Sequence, residues 1–206
     1  VTGNSVLNKH QQRTEATRRK LLKAGMRVFA RDGFEAARIE DVAVEAGHTR
    51  GAFYANFRTK EDLFFALLEQ EAVRRLTELR EALSACPSQE SRMHALRKYY
   101  LERSGDRQWV MLLLEFKLYA LRHGKIRAKL AETHRHMRSS LGYTFLKDLL
   151  PLMDECGSDD KEVAKVMLDV TLSGLVLERA YDPKRISEQQ MRNILGRVFD
   201  MFARAV

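Results

Sequence analysis

The stretch GHTRGAFYANFRTKEDLF, from Gly47 to Phe64, decides the fold. Phe53 and Phe57 stand four residues apart, which puts both on one face of a helix, and Thr49 precedes them where a hydroxyl can cap a helix start. The other face of that short helix carries Arg50, Ala52 and Ala55. Upstream, Ile39, Val42, Ala43 and Ala46 repeat at i, i+3, i+4 and i+7 of a second short helix that Gly47 ends. Downstream, Thr59-Lys60-Glu61-Asp62 has the form of a capping box at the start of a long helix. Two short helices joined by a glycine turn make a helix-turn-helix. In that geometry Ala43 is the small residue at the crossing, Gly47 permits the turn, and Val42 with Phe53 fills the angle. The second helix then protrudes, its N-terminal residues set against base edges while hydroxyls, amides and cations hold phosphates.

The remaining pattern is helical nearly throughout, with no sustained alternation of apolar and polar residues, so the spacing predicts an all-α fold. Helix one is expected from Thr14 to Arg31, with Leu21, Gly25, Val28 and Phe29 on its inner face and Asp32-Gly33 stopping it. After the long helix from Lys60 to Ser84, further helices are expected at Glu90 to Arg103, Gln108 to Arg122, Lys125 to Leu150, Lys161 to Tyr181 and Glu188 to Ala205. Pro87, Pro151 and Pro183 sit in or beside the breaks. Asp159-x-x-Glu162 and Ser187-x-x-Gln190 read as caps of the last two helices.

At 206 residues, 45% hydrophobic and 31% charged, the chain can bury a core without staples. Its net charge of +8 is concentrated at the N-terminus, where residues up to Arg31 carry eight cations against the single acid Glu15. Such a cluster suits a polyanion, nucleic acid or an acidic membrane surface, or is simply a solvated helix face. Cys86 and Cys156 have neither CxxC spacing nor scaffold density and read as free thiols in a reducing compartment. With no apolar run long enough to span a bilayer and no apolar leader, a soluble cytoplasmic protein without a membrane partner is expected. Phosphate-binding glycine loops, nucleophile elbows and zinc-protease signatures are absent, which argues against an enzyme, and no cofactor is expected. Glu132, His134 and His136 lie close on one helix, but without a clear fourth ligand they read as a solvated face and no metal is expected.

The run RIEDVAVEAGHTRGAFYANFRTKEDLF resembles the DNA-binding signature of TetR-family transcriptional regulators. The resemblance covers FARDGF at the end of helix one, the D-V-A and A-G core of helix two, T-R-G-A-F-Y in helix three and F-x-x-K-E-D-L at the start of helix four. It implies a basic extension at 1–13, a helix-turn-helix domain at 14–59 and a six-helix ligand-binding and dimerisation domain at 60–206. It implies that Thr49, Tyr54 and Lys60 contact phosphates and that Arg50, Gly51 and Ala52 lie nearest base edges. The chemistry agrees, since Arg50 can fork onto a guanine and small Gly51 and Ala52 allow close backbone approach. Arg38 stands where the family commonly has Thr or Ser, so a hydroxyl cap is exchanged for a phosphate-seeking cation. His48 replaces a small apolar residue in the turn, and Asn56 replaces a common His or Tyr.

For the larger domain the resemblance implies a homodimer, formed as the last two helices pair with their copies, and a small-molecule effector of unknown identity. Val163, Val166, Val170, Gly174 and Leu177 share one side of a helix, and Ile194, Leu195, Val198 and Phe202 form a stripe on the next. An intramolecular core could account for either stripe, whereas both together with Gly174 favour pairing. WVMLLLEFKLYAL is apolar almost all round and makes a plausible pocket wall, with Trp109, Leu112, Phe116 and Tyr119 on one side and Glu115 at its edge. Glu115 would need a cationic protein side chain or a cationic ligand. Met137 adds adaptable surface. The function expected is a dimeric bacterial repressor bound to double-stranded palindromic DNA and released by its effector. A helix-turn-helix binder or activator without an effector is the alternative.

Overall fold

The computed structural model describes residues 9–102, 105–141 and 158–204. Among the described residues there are nine helices and no strand: α1 (Lys9–Asp32), α2 (Ile39–Glu45), α3 (Arg50–Tyr54), α4 (Lys60–Ser84), α5 (Gln89–Glu102), α6 (Arg107–Arg122), α7 (Gly124–Leu141), α8 (Ser158–Tyr181) and α9 (Glu188–Arg204). The all-α expectation holds. Helix α1 begins five residues before Thr14, because nothing between Lys9 and Thr14 breaks a helix. Helix α8 begins at Ser158, so Asp159 falls inside its first turn and is not its cap. The expected extension of α7 toward Leu150 lies outside the described residues.

Local chemistry explains most helix boundaries. Thr49 Oγ1 accepts the amide of Ala52 at 3.2 Å and Thr59 Oγ1 that of Asp62 at 3.1 Å, so each hydroxyl satisfies an otherwise orphaned helix N–H. Ser187 and Gln190 form the reciprocal box: Gln190 N donates to the Ser187 hydroxyl at 3.2 Å, and Ser187 N to Gln190 Oε1 at 2.8 Å. Gly47 takes φ of +70°, which only glycine adopts without strain, and so reverses the chain between α2 and α3.

Two apolar clusters hold the helices together. The first runs without a break from the helix-turn-helix into the larger part of the chain: Leu21, Val28 and Phe29 of α1, Val42 and Ala43 of α2, Phe53 of α3, Leu63 to Phe65 of α4, and Trp109, Leu112 and Phe116 of α6. Phe34, in the short connection between α1 and α2, is its hub. Its ring lies 5.3 Å from Phe29, 5.5 Å from Phe64, 4.7 Å from Phe116 and 4.9 Å from Tyr119, centroid to centroid. Each such ring contributes about 1.5–3 kcal/mol by burial, with a further 0.5–1.5 from tilted aromatic pairing. The second cluster joins α5, α6, α8 and α9 through Tyr100, Val110, Leu172, Val176, Met191, Leu195 and Phe199. Arg97 adds a two-pronged ion pair to Asp200, at 2.7 and 3.1 Å, that ties α5 to α9.

Candidate nucleic-acid interface

Helix α3 has only five residues, too few to be stable alone, and it is held by Phe53 and Phe57. Those two rings are fully buried and 4% exposed, and lie 5.8 Å apart. Pinning this face turns the other one outward. Arg50, Gly51 and Tyr54 are exposed and Ala52 half-buried. A Cβ at Gly51 would meet only the Thr49 hydroxyl, at 3.7 Å, so the backbone there is open to an approaching surface. Tyr54 stands edge-on to Phe53 at 5.7 Å, with its ring 44% exposed. Arg50 Nη2 donates to the Tyr54 hydroxyl at 3.4 Å, and Arg50 Nη1 lies 3.0 Å from Glu40 of α2.

The other positions singled out from the sequence divide in two. Arg38 is the N-cap residue of α2 without a side-chain cap hydrogen bond, and its side chain is exposed. Asn56 turns back to donate to the Ala52 carbonyl at 2.9 Å, closing the end of α3. Lys60 departs further from expectation. Its ammonium donates to the carbonyls of Phe34, Glu35 and Ala37 at 2.9, 2.6 and 3.4 Å, so it clasps the connection between α1 and α2. An ammonium has three donors, and here three carbonyls take them. The family resemblance implied a phosphate contact for it; the open carbonyls of a loop 23 to 26 residues away supply the competing partner.

Sequence reasoning missed Arg18 and Glu40. Arg18 lies 4.4 Å above the Phe57 ring and donates to the Asn56 carbonyl at 3.3 Å, bracing α1 against the end of α3. In the sequence it was one cation of a cluster. Arg27 and Arg31 of the same cluster are engaged by Glu45 and Asp32 at 2.7 and 2.8 Å, whereas Arg13, Arg19, Lys20 and Lys23 are exposed.

The expected pocket wall on α6 is rearranged. Trp109 and Phe116 are 7% exposed and fully buried; Phe116 stacks on Phe64 at 3.9 Å and Trp109 parallel to it at 6.2 Å, so this face is filled by the protein's own rings. Tyr119 donates to Glu61 at 2.7 Å. That bond, followed by burial, pushes its phenol up to about 12, so it remains a donor at neutral pH. Leu112 and Glu115 instead line a cleft of about 830 Å³ between α1, α6 and α8, together with Phe29, Gly33, Met111 and Leu177. Among the described residues Glu115 pairs with no cation, and its Oε1 accepts the Glu35 amide at 3.4 Å. A Cβ on Gly33, whose φ is +80°, would come within 2.7 Å of that oxygen. The side chain of Met137 lies outside the described residues.

On α8 the stripe faces outward, with Val163, Val166, Val170 and Leu177 between 45% and 64% exposed. A Cβ on Gly174 would meet nothing within 4 Å. On α9 the stripe splits. Ile194 is 39% exposed and Val198 half-buried, but Leu195 is fully buried inside its own chain, because α9 turns it with Met191 and Phe199 onto α5 and α8. The side chain of Phe202 lies outside the described residues. Among the described residues no group of three or more His, Cys, Asp or Glu is placed to hold a metal ion, and no helix is long and apolar enough to cross a membrane.

Comparison with known proteins agrees with this architecture. Residues 21–67 match the family model for bacterial regulatory proteins of the tetR family, and residues 87–204 match that for the C-terminal region of BetI-type transcriptional repressors. The transcriptional repressor Rv1474c of Mycobacterium tuberculosis is 29% identical over 185 residues, covering 84% of this chain and 88% of that protein. YerO, a helix-turn-helix regulator of Bacillus subtilis, is 28% identical over 98 residues, 46% of this chain and only 34% of YerO. The chain thus spans about a third of the length of that relative. Among solved structures, FadR of Bacillus subtilis in complex with stearoyl-CoA has the same fold, with a TM-score of 0.66 at 16% identity over 89% of this chain and 96% of that one. With a head that matches the family's DNA-binding region and a body that matches its repressor region over more than half of the sequence, the chain belongs to the TetR family of bacterial transcriptional regulators, of the repressor type, and not to a family of enzymes.

Proposed function

We propose that this protein is a dimeric repressor that binds a palindromic operator through α3 and is released by a small-molecule effector. The observation that carries the reading is the outward face of α3. Arg50, Gly51 and Tyr54 stand exposed on a helix whose other side is locked by Phe53 and Phe57. Thr49, Tyr54 and Arg38 hold phosphates, Arg50 reads a base, and Gly51 and Ala52 let the backbone approach. The outward apolar stripe of α8 supports pairing with a second copy, with Gly174 allowing the two backbones to come close. A two-fold dimer sets half-sites about one helical turn apart, or a multiple of it.

Release works through the junction of head and body. Helix α4 is 25 residues, about 37 Å long, and its first turn is held from both sides. Lys60 clasps the 34–37 connection, while Tyr119 of α6 and Lys129 of α7 hold Glu61 and Asp62 at 2.7 and 2.9 Å. An effector lodged in the cleft lined by Leu112 and Glu115 bears at once on α6 and on the end of α1, and so shifts the head against the body. A coupling of about 1–3 kcal/mol suffices for several-fold to hundred-fold release.

The test is selection of bound sequences from random duplex DNA, followed by titration of the best duplex with the wild type and Tyr54→Ala at two salt concentrations. A palindrome whose binding weakens with the substitution and with salt supports the reading. Loss of that binding on adding a compound that also raises the melting temperature identifies the effector. If no sequence is enriched, the operator reading fails.

A further inference from the structure

We propose that Glu40 of α2 is a positioning residue for Arg50, holding its guanidinium so that base contact is favoured over phosphate contact and thereby setting the base preference of the recognition helix. The inference rests on the reading of α3 as the element that enters the groove.

The two side chains are 62% and 44% exposed, and their closest atoms are 3.0 Å apart. An exposed pair of this kind adds almost nothing to folding, so its consequence lies in what Arg50 does. Arg50 is the first residue of α3, the end of a recognition helix that approaches base edges. An arginine there has a long, rotamer-rich stem and, left loose, would turn toward whichever phosphate lay nearest. Here it is held on three counts: Nη1 by Glu40, Nη2 by the Tyr54 hydroxyl at 3.4 Å, and the guanidinium carbon 5.5 Å from the Tyr54 ring centre.

The donor inventory allows both tasks at once. A guanidinium carries five N–H groups. Glu40 and Tyr54 take one from each terminal nitrogen, which leaves three, more than the two needed for a fork onto guanine O6 and N7. Glu40 therefore need not release Arg50 when DNA binds. Its own negative charge stands beside the DNA-facing cation, so every complex in which Arg50 has no matched base still bears the repulsion between that carboxylate and the phosphates. Only a matched base offsets it. Specificity of this kind comes from a penalty on the wrong partner as much as from a contact to the right one.

The experiment compares wild type, Glu40→Gln, Arg50→Ala and the double variant, by selection from random duplex DNA and by titration of the selected and a scrambled duplex at two salt concentrations. For Glu40→Gln, scrambled-duplex binding is expected to tighten about threefold to tenfold, with a salt dependence steeper by about one phosphate. The preference at the base pair read by Arg50 is expected to fall about fivefold to tenfold. The melting temperature should stay where it is. In the Arg50→Ala background the same change should leave base preference untouched. If the wild type selects a site and Glu40→Gln keeps the full preference, the proposal is overturned, even if scrambled DNA binds more tightly, because the carboxylate then only repels. If the wild type selects no site, the operator reading and this proposal fail together, and the wild-type arm alone reports that.

Discussion

Helix α3 and helix α6 both carry aromatic residues at helical spacing, and the structure treats them differently. Helix α3 is buried on one face only, so burying Phe53 and Phe57 leaves Arg50 and Tyr54 exposed, as their spacing predicts. Helix α6 is packed on several sides, with Phe116 and Trp109 against α4, Val110 in the second cluster, and Leu112 and Glu115 toward α1. An apolar pattern that runs almost round a helix cannot say which face is left for a ligand. A helix buried on one face is legible from its spacing, whereas a helix packed on several sides needs its neighbours in place.

The comparison breaks most directly at Phe64, where the two regions share a core. Phe64→Ala removes the ring stacked on Phe116 and should cost about 3–5 kcal/mol in urea unfolding, with head and body losing structure together. Separate transitions would show that the head has a core of its own. A contrast between α8 and α9 follows. Leu195→Ala, a fully buried side chain, should cost about 2–5 kcal/mol of stability. Val170→Glu, on a residue 64% exposed, should leave the fold intact and instead yield monomers in sedimentation at micromolar concentration. A stable Val170→Glu dimer would remove α8 from the interface.

Arg50→Ala sharpens the reading of α3. It should weaken operator binding by about 1–3 kcal/mol and relax the preference at one base pair, with the melting temperature unchanged. Thr49→Ala should cost about 1 kcal/mol of stability through the lost cap, and weaken DNA binding of every sequence alike.

The smallest effect is expected from acid. Burial on its own would push the Glu71 carboxyl up, but hydrogen bonds from Arg74 and Arg75 outweigh it and hold the group below the ordinary 4.5. Arg75 also reaches Asp106, the cap of α6, at 2.6 Å, so this network ties α4 to α6. A lowered carboxylate contributes stability that is complete above about pH 4.5 and is lost as pH falls through the lowered value. Glu71→Gln should therefore lower stability slightly at neutral pH, leave it nearly unchanged below the lowered value, and so flatten the acid limb of the stability profile.

The identity of the helices and the outward face of α3 were determined by the sequence itself. Caps at Thr49, Thr59 and Ser187, the turn at Gly47 and the pair Phe53 and Phe57 act within a few residues, and interactions of that range are visible in a single chain. What side chains do across long separations was decided only by tertiary structure. Lys60 met loop carbonyls, Glu115 met a backbone amide 80 residues away, Leu195 turned inward, and Glu40 met Arg50 across the crossing of two helices. The physical reason is common to all four: a polar atom or an apolar surface takes the partner that packing brings within reach, and spacing along the chain does not name that partner.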